Sequence, residues 1–228
     1  MRQNLNILFA FLFLIGMVSC GEKKSNAEHN HDEGHSHDHG HSHKHDQVKL
    51  SDGTYKVDTQ KSFIKWTGKK VTGEHFGKMM IKEGAVIIKD GTVAKGSSFD
   101  MDVTTLTVDD IPVDNSMNAK LKGHLHSADF FNVAEFPFVN FDVTKVENGE
   151  HSGEINVTGN LTIKGITNSI TFPAQLMSHD GTMHAIADIT FDRTKFEIKY
   201  GSGSFFEGLG DKTISDDVQL ELQLLAKK

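Results

Sequence analysis

Eight of the fourteen histidines in this 228-residue chain stand close together, at His29, His31, His35, His37, His39, His41, His43 and His45. From His35 onward they alternate strictly with Ser, Asp, Gly or Lys, and Asp32, Glu33, Asp38 and Asp46 add carboxylates. Neutral imidazole is a ligand for Zn, Cu and Ni ions, and alternating rings on a flexible chain offer many equivalent chelates. Such sites are not preformed, so ordering entropy weakens them, and ring protonation below roughly pH 6.5 releases the metal. A soluble spacer is the plainer account of the same residues.

Cys20, the single cysteine, ends Met17-Val18-Ser19-Cys20, after Arg2 and an apolar run from Ile7 to Val18. The run is short for a membrane span but suits the apolar region of a secretory signal. With Gly21 following, the segment reads as a lipobox with Met in place of the commoner Leu. The expectation is a signal peptide over 1–19, acylation at Cys20, and no disulfide framework. Each buried acyl methylene contributes about 0.8 kcal/mol, so several chains together hold a protein on a membrane. Glu22-Lys23-Lys24 carries no Asp-type retention signal, which favours the outer membrane, facing the periplasm, over the inner. Residues 20–50 are too polar to fold alone and read as an acylated, His-rich linker.

Other chemical candidates are thinner. His124 and His126 flank Leu125 in an H-x-H arrangement, but no third metal ligand is marked, so structural histidines are expected. Gly201-Ser202-Gly203-Ser204 lacks the lysine of a phosphate loop and reads as a rim loop. Asp109-Asp110 and Asp216-Asp217 are adjacent pairs that cannot both face one site on a strand. No G-x-S-x-G, H-E-x-x-H or Walker pattern occurs, so a binding protein is expected, not an enzyme, and no cofactor is required. The net charge of -7 argues against nucleic acid as partner.

The elements that must position these groups follow from a period of two. Ile155, Val157, Leu161 and Ile163 alternate with polar residues, Gly159 interrupting the apolar side. Ile170, Phe172, Ala174 and Leu176 repeat the scheme with Pro173 on the opposite parity, and Val139, Phe141 and Val143 follow it too. Val218, Leu220, Leu222 and Leu224 give the clearest case. These are strands with one buried and one wet face. Asp90-Gly91, Asn148-Gly149 and Asp180-Gly181 predict hairpin turns. About eight strands with short turns imply antiparallel pairing in a β-barrel or sandwich, closure removing exposed edges. Helical spacing of Met117, Leu121 and His124 or Leu125 predicts one helix over Asn115–Leu125, with Asp114 or Asn115 as N-cap.

Four segments carry a family resemblance: His124-Leu125-His126-Ser127-Ala128-Asp129-Phe130-Phe131-Asn132, Phe136-Pro137-Phe138-Val139-Asn140-Phe141, Leu161 to Thr167, and Asp192-Arg193-Thr194-Lys195-Phe196. Together they resemble the YceI-like polyisoprenoid-binding family, over about Ser51 to Lys228. The resemblance implies an all-β, lipocalin-like antiparallel barrel of about eight strands with a short helical insert. It implies a long-chain amphiphile (polyisoprenoid, quinone-like or fatty-acyl) in the barrel, with His124, Asp129, Phe130, Phe131 and Pro137 shaping a lid. It also leaves a homodimer open, with no interface legible. Trp66, Phe99, Phe130, Phe131, Phe136, Phe141, Phe172, Phe191 and Phe196 become candidate ligand contacts. From the residues alone, such side chains either line a cavity or fill the barrel, and Phe205 and Phe206 share that expectation. Arg193 orients a head group or pairs with Asp129 or Asp192 to lock a turn.

Overall fold

A computed structural model describes residues 50–228. The signal sequence, Cys20 and the histidine tract, with the expectations attached to them, lie outside the described residues.

Ten strands follow in order: β1 (Gly53–Val57), β2 (Phe63–Lys70), β3 (Gly73–Lys89), β4 (Thr92–Val93), β5 (Ser98–Asp102), β6 (Phe138–Asn148), β7 (Glu154–Ile163), β8 (Ile166–His179), β9 (Thr182–Asp192) and β10 (Ile214–Lys227). One helix, α1 (Ser116–His126), interrupts them between β5 and β6. All strand pairing is antiparallel, and eight strands form a ring: β10-β2-β3-β5-β6-β7-β8-β9, closing back on β10. β4 is a short addition to β3. β1 occupies the same gap as β2, pairing with the far ends of β10 and β3. Ser62 makes that break tolerable. Its hydroxyl, fully buried, accepts from the Leu225 amide at 2.9 Å and donates to the Leu225 carbonyl at 3.2 Å, replacing the missing ladder contacts.

The parity predicted for the strands is the parity observed. Ile155, Val157, Leu161 and Ile163 are buried between exposed or half-exposed neighbours. Gly159 sits on the same inward face because the Phe141 ring lies directly over it and a β-carbon there would collide with the ring. Asp90-Gly91 and Asp180-Gly181 form hairpin turns with positive φ at both residues, as types with that twist require. Asn148-Gly149 does not. The connection runs over residues 149–153, and the left-handed position is Gly153. A third tight turn uses Lys164-Gly165, both at positive φ.

The helix forms one residue later than expected, with Asn115 as its cap: the side-chain oxygen accepts from the Met117 amide at 3.0 Å. Its buried residues are Asn118 and Leu125, with Leu121 packed against the core. Met117 is half exposed, against the expected apolar stripe. Asn118 explains the shift of face. Its amide donates to the carbonyls of Val108 and Ile111, at 2.8 and 2.7 Å, and draws that side of the helix onto the preceding loop. The same loop crosses β3 where Gly77 leaves room, since a β-carbon there would strike the Thr107 carbonyl. The indole of Trp66 donates to that carbonyl at 3.1 Å.

Candidate ligand-binding site

The inward faces of the barrel do not meet throughout. Two apolar chambers, of about 100 and 110 Å³, follow one another through the interior. The first is framed by Phe99, Phe141, Ile170, Phe172, Ile189 and Leu224. The second, under α1, is framed by Trp66, Met79, Leu125, Phe130, Phe131 and Phe191. Their order along the barrel follows from the strands: β10 lends Leu222 and Leu224 to the first, Val218 to the second, and Leu220 to both. Ile64, Met101 and Leu161 complete the belt that lines both chambers. Val218, Leu220 and Leu222 point inward, yet remain only half-buried, as expected beside unfilled space. Apolar cavities of about 150 Å³ stay dry and take up small hydrocarbons, so these chambers suit alkyl groups and repel water.

Eight of the candidate contacts therefore line the interior: Trp66, Phe130, Phe131, Phe191 and Arg193 in the second chamber, and Phe99, Phe141 and Phe172 in the first. Two stand elsewhere. Phe136 packs over the Gly165 turn. Phe196, 1% exposed, is spent on an edge-to-face contact with Phe191, centroids 5.6 Å apart. Phe205 and Phe206 are half exposed on the loop before β10, so that part of the aromatic expectation is corrected. Lys199 lies 4.7 Å from the Phe205 ring centre, which keeps that ring at the surface. The aliphatic belt went unmarked as a site, although strand parity already places Leu161 and Leu220 inside.

Arg193 follows the last residue of β9 and is 2% exposed. Its five N–H groups are all engaged. Nε donates to Ser215 O at 2.8 Å, one terminal nitrogen to Ile198 O and Tyr200 O, and the other to Ile214 O and, at 3.4 Å, the Asp216 carboxylate. It pairs with Asp216, not with Asp129 or Asp192. Asp192 instead caps the following turn, accepting from the amide and hydroxyl of Thr194. Burial lowers the Arg193 pKa, opposed by the charges of Asp216 and Asp192. Burial raises that of Asp216, but hydrogen bonds from Ser204 and Ser202 and the Arg193 charge outweigh it, so the carboxyl stays below its ordinary value. With no donor left over, Arg193 is a rivet between β9 and β10, not an anion receptor.

The lid is held by a second polar set. His124 Nε2 meets the Asp129 carboxylate at 3.0 Å, and its ring stands edge-on to Phe130 and Tyr200, at 5.0 and 4.5 Å. His126 is different: its Nε2 is buried without a hydrogen-bond partner. Burial, with the Lys122 charge, lowers its pKa against a raising contribution from the Val103 backbone, which favours the neutral ring. On the neighbouring rim, His75 pairs with Asp110 at 2.7 Å. Burial raises the Asp110 pKa, but the bonds from His75 and the Phe76 amide win, and the net shift is downward. Among the described residues no group of three His, Cys, Asp or Glu side chains is placed to hold a metal ion.

A closed antiparallel barrel with an apolar interior and a helical lid defines a lipocalin-like binding fold. Residues 55–226 match the YceI-like domain, and the chain belongs to the YceI-like family. Protein YceI of Salmonella arizonae is 40% identical over 76 residues, which are 33% of this chain and 38% of that protein. Protein YceI of Salmonella newport matches to the same extent, so the chain spans 38% of the length of these curated relatives. Among solved structures, BcnA of Burkholderia cenocepacia aligns with a TM-score of 0.59 at 20% identity, covering 75% of this chain and 99% of its own. A polyisoprenoid binding domain from Saccharophagus degradans, implicated in plant cell wall breakdown, aligns at 0.56 and 13% identity, covering 76% and 97%. At these identities the likeness is one of fold.

Proposed function

We propose that this protein is a lipid-anchored binding protein of the bacterial cell envelope, on the periplasmic side of the outer membrane, that holds a long-chain amphiphile inside its barrel without turning it over. The observation that carries the reading is the pair of apolar chambers sharing the Ile64-Met101-Leu161-Leu220 belt. A tail threaded past that belt would bury its surface at about 25 cal/mol per Å², since the surface exposed to both chambers is apolar. Rotamer changes in Met101 and Leu220, both unbranched at Cβ, open the belt without moving backbone. Membership of the YceI-like family and the fold shared with a polyisoprenoid binding domain support the same reading.

Native mass spectrometry of the full chain purified from bacteria tests this. A co-purifying lipid, displaced by added polyprenol, is the expected outcome. A protein that is empty and also refuses polyprenols and fatty acids refutes it.

A second function rests on the histidine tract His29–His45. Its imidazoles support binding of Zn, Cu or Ni ions, with the barrel as scaffold. Calorimetric titration of the intact chain against a tract-deleted form separates the two roles, and equal metal uptake by both forms defeats the second.

A further inference from the structure

β9 is fully zipped on one side and only partly on the other. With β10 it pairs from Asp192↔Asp217 to Thr182↔Lys227. With β8 it pairs only from Gln175↔Ile186 to His179↔Thr182, although β8 has 14 residues and β9 has 11. Beyond Gln175 and Ile186 both strands continue, each held only by its other neighbour.

Pro173 explains where the ladder stops. The Leu176 amide donates to Gly153 O, on the β7 side, at 2.7 Å. Amides alternate sides along a strand, so residue 173 directs its nitrogen towards β9, and proline has no N–H to give. At the other end of the gap, the Asn168 side chain donates to Lys195 O at 2.9 Å. Between these limits the wall is a seam. Ile170 and Phe172 on β8 and Ile189 on β9 face the first chamber behind it.

Outside, at the foot of the seam, a concavity of about 820 Å³ crosses β7 to β10. Pro173, Ala174 and Ala187 lie in it, so two of the smallest side chains stand between it and the interior. It carries four carboxylates (Glu150, Glu154, Asp188, Glu221), the amides of Asn148, Asn156, Gln175 and Gln223, the ring of His151, and no lysine or arginine; the Gln175 amide nitrogen already donates to Ser152 O, which leaves its oxygen to accept. The cation nearest in register, Lys65, is already paired with Glu221 at 2.6 Å.

We infer that the amphiphile passes tail-first through the β8–β9 seam and leaves its head group in the outer concavity, which accepts an uncharged, hydrogen-bonding head and rejects an anionic one. This deepens the lipid-holding reading and rests on it. The exclusion of anions has two grounds: the carboxylates at the seam, and the fully engaged Arg193 at the opposite end.

The test uses the full chain with Cys20→Ser, so that introduced thiols are unique. Continuing the β8–β9 register sets Thr171 across from Thr190, both exposed. Thr171→Cys with Thr190→Cys are bridged by a short bis-methanethiosulfonate, removable by reductant. A control bridge joins Thr190→Cys to Gln219→Cys across the zipped β9–β10 ladder. Uptake is read as quenching of Trp66, the only tryptophan, by a long-chain brominated alcohol and by the phosphate monoester of that alcohol. The seam bridge slows quenching by the alcohol about tenfold or more, some 1.4 kcal/mol on the barrier, and reductant restores the rate, showing the fold intact. The control bridge leaves the rate unchanged, and the phosphate ester quenches poorly throughout. Equal rates with and without the seam bridge overturn the seam, and equal quenching by the ester overturns the head-group class. If neither probe quenches even the unbridged protein, the lipid-holding reading itself fails.

Discussion

The two flanks of β9 are built from the same strand and behave differently. Towards β10 the ladder runs its full length and is riveted at its end by Arg193, which reaches Ser215, Ile214 and Asp216. Towards β8 the ladder lapses at a proline, and a single side-chain bond from Asn168 spans the far end. Strand pairing is therefore not a uniform property of a barrel wall. One missing donor and one engaged guanidinium set where the wall is fixed and where it can part.

Removing the rivet has the largest expected effect. Arg193→Met leaves four carbonyls without their donor and Asp216 without its cation, though still bonded by Ser204, and should cost about 3–5 kcal/mol. Urea unfolding measures it, and a loss well below 1 kcal/mol would mean the two flanks are held alike. Asn168→Ala, on the weak flank, removes one partly exposed hydrogen bond, for about 0.5–1.5 kcal/mol. Its clearer signature is faster exchange of the β8 amides that face β7, at Asn168 and Ile170, with β10 unaffected.

Pro173→Val supplies the missing N–H. One new hydrogen bond and the lost stiffness of proline in the unfolded chain nearly cancel, leaving a net change within about 1 kcal/mol. Exchange in β9 from Ala187 to Thr190 should nonetheless slow as the ladder extends. Unchanged exchange there would show that something other than the proline keeps the strands apart.

The smallest effects come from pH. Asp216 and Asp110 have lowered folded pKa values, so their stabilisation is complete above the ordinary carboxylate value of 3.8 and is lost as pH falls below it. Asp216→Asn should flatten the decline in melting temperature between about pH 5 and pH 2. His126 also has a lowered pKa, so its contribution is present above 6.5 and lost as acid protonates the buried ring. Protection factors of the α1 amides, taken relative to intrinsic exchange at each pH, should therefore fall below that pH, while β9 and β10 keep their protection.

Much of the wall was legible because burial on one face leaves a period of two. The faces of β6, β7, β8 and β10 follow directly from runs such as Val218-Leu220-Leu222-Leu224. The N-cap Asn115 was legible for its side-chain chemistry. The Lys164-Gly165 turn was not, since lysine gives no sign of the left-handed conformation it adopts at φ 52°. The partner of Arg193 was missed because Asp216 lies 23 residues along the chain, and pairing of that kind is fixed only by the closed barrel. Pro173 was noticed on the outward parity, but its consequence depends on which neighbour its nitrogen faces. The chambers were inaccessible to pattern, because inward parity is the same for side chains that meet and for those that do not.

A crystal structure of the full chain as purified from bacteria tests the hollow interior most directly. Elongated density running through both chambers, past Ile64, Met101, Leu161 and Leu220, is the predicted result. Those four side chains closed on one another, with protein atoms filling the space on either side, would contradict it.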